Sequence, residues 1–206
     1  MLSHYLASQL ACPHGLLGRL FLGRLWNTRN RALNDLAFVR LAANAGDHIL
    51  EIGFGGGYLI DRLSVIVTTG LVAGVDVSAA MAQGMRSRRQ CLIEQGRLTL
   101  QQAAAESLPF PDRSFDKVCS VNSLFYWTDP PRAFAEIARV LRPDGMLVLV
   151  FTNRQSLQTK DFAKHGLNLF EPEQVRGFLL AAGFREVLFE EATDRHRTFV
   201  VMQAQR

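Results

Sequence analysis

The residues best suited to chemistry sit in one heptapeptide, Glu51-Ile52-Gly53-Phe54-Gly55-Gly56-Gly57. An apolar run precedes it and a helix-like run follows. Glycines at such a junction let the backbone turn tightly and approach a ligand with no side chain in between. The acid just before them suits a ligand that carries positive charge. A second acid, Asp76, ends the next apolar run, about twenty residues beyond the loop. A carboxylate in that place can accept hydrogen bonds from both hydroxyls of a ribose.

Two kinds of cofactor compete for such a loop. Dinucleotides favour G-x-G-x-x-G, with the pyrophosphate on the helix N-terminus. Counted from Gly53, the third glycine of that pattern falls on Tyr58. The spacing is instead E-x-G-x-G-x-G, through Glu51, Gly53, Gly55 and Gly57. S-adenosyl-L-methionine carries an ammonium and a sulfonium, and so suits the acid better than a pyrophosphate does. Asp76 supports a ribose without choosing between the two.

The elements that must position these residues alternate from Asp47 onward. Strand-like runs cover His48–Ile52, Leu71–Asp76, Arg97–Gln102, Phe115–Asn122, Met146–Phe151, Arg185–Glu190 and Arg197–Gln203. Helix-like runs cover Gly57–Val67, Ser78–Glu94, Pro130–Leu141 and Pro172–Ala182. Ser78 reads as an N-cap, and Asp129 followed by proline opens the third helix. The fully apolar Met146–Phe151 is expected to be covered on both faces. The short link between the last two strands predicts a hairpin. The expected fold is α/β: a Rossmann-like, doubly wound, mostly parallel seven-stranded sheet with a C-terminal antiparallel hairpin strand and an N-terminal helical cap. Residues 47–206 form that domain and residues 1–46 the cap or lid. Within the cap, Leu16, Leu17, Leu20, Phe21 and Leu25 recur at helical spacing, and a second helix runs from about Arg31 to Ala43. The first fifty residues hold five arginines against two aspartates. The segment therefore packs over the sheet, closes on a substrate, or rests on a membrane surface.

The motifs resemble those of a known family. Ile49–Gly57, Gly74-Val75-Asp76-Val77-Ser78, Ala105-Glu106-Ser107-Leu108-Pro109-Phe110-Pro111-Asp112, Ser114-Phe115-Asp116 and Arg139-Val140-Leu141-Arg142-Pro143-Asp144-Gly145 follow in order. They resemble the class I S-adenosylmethionine-dependent methyltransferases, and within them the ubiquinone/menaquinone-biosynthesis-like, type 11 subgroup. The resemblance covers about residues 47–150 and returns at Phe170–Phe184. It implies that Glu51 holds the methionine amino group and that Gly53, Phe54, Gly55 and Gly57 form the loop around methionine and ribose. It further implies Asp76 at the ribose, Val77 beside the adenine, and Asn122 near the methionine end. Ala104 and Ala105 stand where the family usually has Asp-Ala. Ala104 cannot accept from the adenine amino group, while the N–H of Ala105 can still reach a ring nitrogen.

Methyl transfer from a sulfonium is a direct displacement, so the protein supplies alignment and water exclusion. No strong general base stands out; Tyr126, His165 and Asn30 are the weak catalytic candidates, with His4 and His14 behind them. Phe125-Tyr126-Trp127 either walls an acceptor pocket or packs under the next helix. Trp26, Asn27, Asn30 and Arg31 are placed to close the pocket from the N-terminal side. Asp129-Pro130-Pro131 is like the acid-Pro-Pro motif of methyltransferases that act on nucleic-acid amino groups, but Arg132 takes the place of its aromatic, and the triplet reads as a helix start.

Composition bounds the rest. The 206 residues suffice for one domain, with 48% hydrophobic and 20% charged residues. A net charge of +4 is mild and dispersed, and argues no nucleic-acid partner. Cys12, Cys91 and Cys119 form neither a disulfide framework nor a metal cluster, so no metal is expected. Cys91 and Cys119 read as small core residues. Leu59–Val75 is broken by Asp61, Arg62 and Gly70, and Pro13, Arg19 and Arg24 break the N-terminal apolar runs. A cytoplasmic protein with a small-molecule or lipid-like methyl acceptor is the expectation. The alternatives are a non-catalytic adenosylmethionine-binding module and a NAD-dependent oxidoreductase.

Overall fold

A computed structural model describes residues 28–158 and 167–206. Its first named helix is α1 (Arg31–Leu41), followed by β1 (His48–Ile52), α2 (Tyr58–Ile66), β2 (Leu71–Asp76), α3 (Ala79–Arg88), α4 (Gln90–Glu94) and β3 (Leu98–Gln102). Then come β4 (Phe115–Val121), a 3-10 turn at Leu124–Tyr126, α5 (Pro130–Val140), β5 (Leu141–Thr152), α6 (Arg154–Gln158), α7 (Pro172–Ala181), β6 (Arg185–Thr193) and β7 (Thr198–Gln205). The sheet has seven strands in the order β3-β2-β1-β4-β5-β7-β6. β1 to β5 are mutually parallel, and β7 runs antiparallel between β5 and β6.

Alternation along the strands divides the core in two. Leu50 and Ile52 join Val75 and Val118 on the face covered by α5 and α7. Ile49 joins Val72, Cys119 and Val148 on the face covered by α1, α2 and α3. Glu51 shares the pleat side of Ile49, because strand side chains repeat every second residue. Chain direction fixes the rest. From β1 the chain moves to β2 and β3 on one side; from β4 it moves to β5 on the other. Loops at the carboxyl ends of β1 and β4 therefore diverge and leave a crevice between them.

Three features differ from the sequence expectation. The helix expected over Ser78–Glu94 breaks at Arg89, which sits at φ −123°. No apolar residue lies between Met85 and Cys91 to keep a buried stripe going, and the Arg89 guanidinium turns to the Asp61 carboxylate at 2.7 and 2.8 Å. Cys91 lies on α4, which buries no residue, and is exposed rather than in the core; Cys119 is buried as expected. The fifth strand starts at Leu141, five residues earlier than Met146. Its register shifts after Phe115↔Leu141; Pro143, which has no N–H to give a ladder, falls in that irregular stretch.

The described part of the N-terminal segment belongs to the core. Leu33, Ala37 and Leu41 recur every four residues on α1 and are fully buried. Asp35 on its other side accepts from the Tyr58 hydroxyl at 2.8 Å and pairs with Arg62. The Arg62 guanidinium also lies 3.9 Å from the centre of the Phe38 ring. The helix read over Leu16–Leu25 lies outside the described residues. Among the described residues no helix is long and apolar enough to cross a membrane. Leu33→Ala should cost about 2–5 kcal/mol in urea unfolding, as for a core leucine. Unchanged stability would mean that α1 is only loosely attached.

Candidate active site

The glycine loop closes the carboxyl end of β1. Gly53 donates to the Val75 carbonyl at 2.8 Å, which carries the β1–β2 pairing one step past the strand. Gly53 has φ +76°, and a Cβ there would stand 2.5 Å from Cβ of Ser123. Gly57 has φ +80°, and a Cβ there would stand 2.5 Å from Sδ of Met85. Phe54, buried in the core, anchors the loop between these two points.

Asp76 joins this loop to the next. Its Oδ2 accepts from the N–H of Gly55 at 2.8 Å and its Oδ1 from that of Ser78 at 2.9 Å. Burial raises its pKa, and the two N–H groups oppose that. A carboxylate offers about four acceptor sites, so these bonds leave capacity for a ligand. Glu51 is more confined. Only 2% of it is exposed, and its Oε2 is buried with no hydrogen-bond partner. Burial first, then the charge of Asp76, push its pKa up to about 8. The N–H of Ile60, in the first turn of α2, pulls the other way.

These groups line a cavity of about 260 Å³. Of the residues named from the sequence, Glu51, Gly53, Phe54, Gly55, Asp76, Val77, Ala104, Ala105 and Asn122 line it, as do Asn30 and Tyr126. Gly57 does not; its role is the close approach of α3. His165, His4, His14, Trp26 and Asn27 lie outside the described residues. Arg31 is not part of the lining and pairs with Asp35 at 3.9 Å.

Asn122 is largely committed to structure. It sits at φ +55°, takes up the N–H and hydroxyl of Thr152 at 2.8 and 3.0 Å, and donates to Asn30 Oδ1 at 2.9 Å. Asn30 Oδ1 also accepts from Arg197 at 3.0 Å. An amide oxygen held by two donors serves no base function. Burial pushes the Tyr126 phenol up to about 12. It therefore stays protonated at neutral pH and acts as a donor rather than a base. The aromatic cluster faces the cavity and also packs under the next helix. Phe125, Tyr126 and Trp127 line the cavity, while Trp127 packs edge-on against Phe134 of α5 at 5.3 Å. Asp129 caps α5 through the N–H of Arg132 at 3.1 Å, so the Asp-Pro-Pro triplet is a helix start.

Sequence reasoning missed Arg29, Ser123, Thr152 and Arg197 in the lining. Ser123 contacts Ser120 Oγ at 2.5 Å and accepts from Trp127 Nε1 at 3.2 Å beneath the loop. A hydroxyl directly after Asn122 was the available signal. Arg197 comes from the β6–β7 turn, where no motif marks it. Among the described residues no cluster of metal-ligating side chains occurs.

Comparison with known proteins gives the same answer as the geometry. Residues 50–149 match the family model described as a methyltransferase domain. The chain is 29% identical over 168 residues to the uncharacterized methyltransferase YdaC of Bacillus subtilis, covering 82% of this chain and 88% of that protein. It is 40% identical over 134 residues to the ubiquinone/menaquinone biosynthesis C-methyltransferase UbiE of Hahella chejuensis, covering 63% of this chain and 50% of the enzyme. The chain thus spans about half of the latter's length. A SAM-dependent methyltransferase from Aquifex aeolicus shares the fold, with a TM-score of 0.68, 18% identity, and coverage of 98% and 97% of the two chains. The matched region holds the glycine loop, both buried acids and the crevice between β1 and β4, and with it the chain belongs to the class I S-adenosylmethionine-dependent methyltransferases, enzymes whose cofactor is S-adenosylmethionine.

Proposed function

We propose that the chain moves the methyl group of S-adenosylmethionine to a small-molecule acceptor by direct displacement, with cofactor and acceptor side by side in the one cavity. The observation that carries this reading is the Glu51 oxygen, buried and without a partner. An unsatisfied buried polar atom costs free energy, and a ligand ammonium would satisfy it. In this reading Asp76 takes the ribose hydroxyls, Val77 lies beside the adenine, and the N–H of Ala105 meets a ring nitrogen. Ala104 gives the adenine amino group no side-chain acceptor, a loss of about 1–2 kcal/mol unless water replaces it.

The acceptor takes the part of the cavity between Tyr126 and Asn30. The sulfonium supplies the activation, so the residues there have to align the acceptor and keep water out. Tyr126 donates to an acceptor oxygen. Glu106 is oriented by Thr128 and Asp129, whose N–H and hydroxyl groups donate to its Oε1 at 2.6–3.1 Å. A cavity of this size favours a small acceptor and no nucleic acid. The lipid-like version of the acceptor, with its peripheral membrane contact, rests on the helix read near residues 16–25, outside the described residues.

Burial of Glu51 couples binding to pH. The folded protein holds a proton up to about pH 8 that the unfolded chain releases near 4.5. The stability this contributes is fully present below 4.5 and is lost as pH rises through 8. A cation beside the carboxylate draws that proton off, so binding should release one.

Three measurements check the reading. Calorimetry at pH 7 in phosphate and in Tris should show adenosylmethionine binding with release of up to about one proton, and Glu51→Gln should abolish the release; a wild-type enthalpy independent of buffer would remove the ammonium from Glu51. Asp76→Ala should weaken adenosylmethionine at least about tenfold, and unchanged affinity in the folded variant would mean the ribose lies elsewhere. Titration with adenosylmethionine, adenosylhomocysteine and NAD should give binding of the first two alone, and labelled methyl groups should pass to small acceptors. A folded protein that ignores both sulfur nucleosides at millimolar levels would end the reading, and one that binds them but methylates nothing on a broad panel would be a binding module.

A further inference from the structure

Charge is divided across the cavity. Glu51 and Asp76 stand at the ends of β1 and β2, while Arg29 and Arg197 line the wall on the side of β5 and β7. Neighbouring strands lie about 4.8 Å apart, so β7 is about 14 Å from β1 along the sheet. The cofactor's acids and the arginine wall therefore address different parts of the bound ligands.

Arg197 is held in place without being used up. It closes the turn between β6 and β7, where the Asp194 carboxylate accepts from the N–H groups of His196 and Arg197 at 2.7 and 3.0 Å. One end of the guanidinium is fixed by Asn30 Oδ1 and the Arg29 carbonyl. The other nitrogen, Nη1, makes only a 3.5 Å contact with Thr152 Oγ1. Nε is buried with no hydrogen-bond partner but forms an ion pair with Asp194, whose Oδ2 lies 3.6 Å away, so the guanidinium keeps one counter-ion in the turn. The side chain is 17% exposed, and burial is the larger cause of a lowered pKa. A guanidinium taken out of water, with hydrogen-bonding capacity left over, is a receptor for an anion.

We infer that Arg197 is a specificity residue that selects an acceptor carrying an acidic group, docking that group against the β5–β7 side of the cavity while its methyl-accepting atom faces β4. This rests on the proposed function above, because it needs the cofactor on the β1–β2 side. The chemical class is a small carboxylate-bearing acceptor, and Arg29 adds a second positive charge to the same wall. A rigid fork also restricts the approach angle of a carboxylate, as a lysine would not.

The test loads the full-length protein with adenosylhomocysteine and titrates in matched pairs: 3,4-dihydroxybenzoate against its methyl ester, and salicylate against salicylamide. The acids should bind at least about tenfold more tightly than their neutral partners. Arg197→Gln should remove that difference and leave the affinity for adenosylhomocysteine unchanged. Arg197→Met, which keeps the packing of the stem, replaces the Gln variant if the latter does not fold. Equal binding of each pair, failure of both acids to bind, or a preference that survives the substitution overturns the inference. So does a loss of adenosylhomocysteine affinity in the variant with 5′-methylthioadenosine, which lacks the amino acid, unaffected: the guanidinium would then serve the cofactor's own carboxylate. Failure of the wild type to bind adenosylhomocysteine at all sinks the cofactor reading itself, and the inference falls with it.

Discussion

Two carboxyl groups are buried side by side at the carboxyl edge of the sheet, and the rest of the site is organised by that constraint. Asp76 and Glu51 repel when both are charged, and neither faces bulk water. Such groups persist only if backbone N–H groups and a ligand offset their desolvation. Gly55 and Ser78 supply N–H groups to Asp76, and Ile60 supplies one to Glu51. The turn that delivers the Gly55 N–H needs Gly53 at positive φ against Ser123. One oxygen of Glu51 still has no partner, so the free protein keeps a buried hydrogen-bonding group unsatisfied.

The opposite edge of the sheet shows the same chemistry with the opposite sign. Asp116 also loses solvent on folding, but the N–H of His48 at 2.8 Å and Arg142 at 2.5 Å outweigh that loss and lower its pKa. Its contribution to stability is present above its unfolded pKa and fades as pH falls through the folded one. Lys117 meets Asp47 at 2.7 Å beside it. Satisfied pairs thus pin the amino ends of β1 and β4. The acid with an unpartnered oxygen stands at the carboxyl end of β1, on the cavity. Stability and function are separated along the length of the same strands.

How much of this could be read from the sequence depended on how local the signal was. β1 and β2 were legible to the residue, because apolar runs bounded by Asp47, Gly53 and Gly70 leave no alternative register. Glu51 and the loop were legible because they lie within one turn of chain, and Asp76 because it ends the next apolar run. The break at Arg89 was not, since it depends on Asp61 from another helix. Gly57 was read as loop lining, whereas its missing Cβ makes room for Met85. Asn122 lies just after β4 on the cavity, but its side chain is occupied by Thr152 and Asn30, contacts separated by 30 and 92 residues. Arg197 sits 167 residues from Asn30, and nothing near it in the chain marks it as part of a site.

That long-range network settles what α1 does. Asn30 lies just before α1 and accepts at once from Asn122 at the end of β4 and from Arg197 before β7. A segment held by both of those strands, with Leu33 and Ala37 buried below it, forms part of the cavity wall. Tyr58 has a related role. Where a dinucleotide-binding loop would need a glycine, its hydroxyl fastens α1 through Asp35. The residue that breaks the dinucleotide pattern is therefore also the one that fastens α1, and with it Asn30 and Asn34 of the cavity lining, to the helix after the glycine loop.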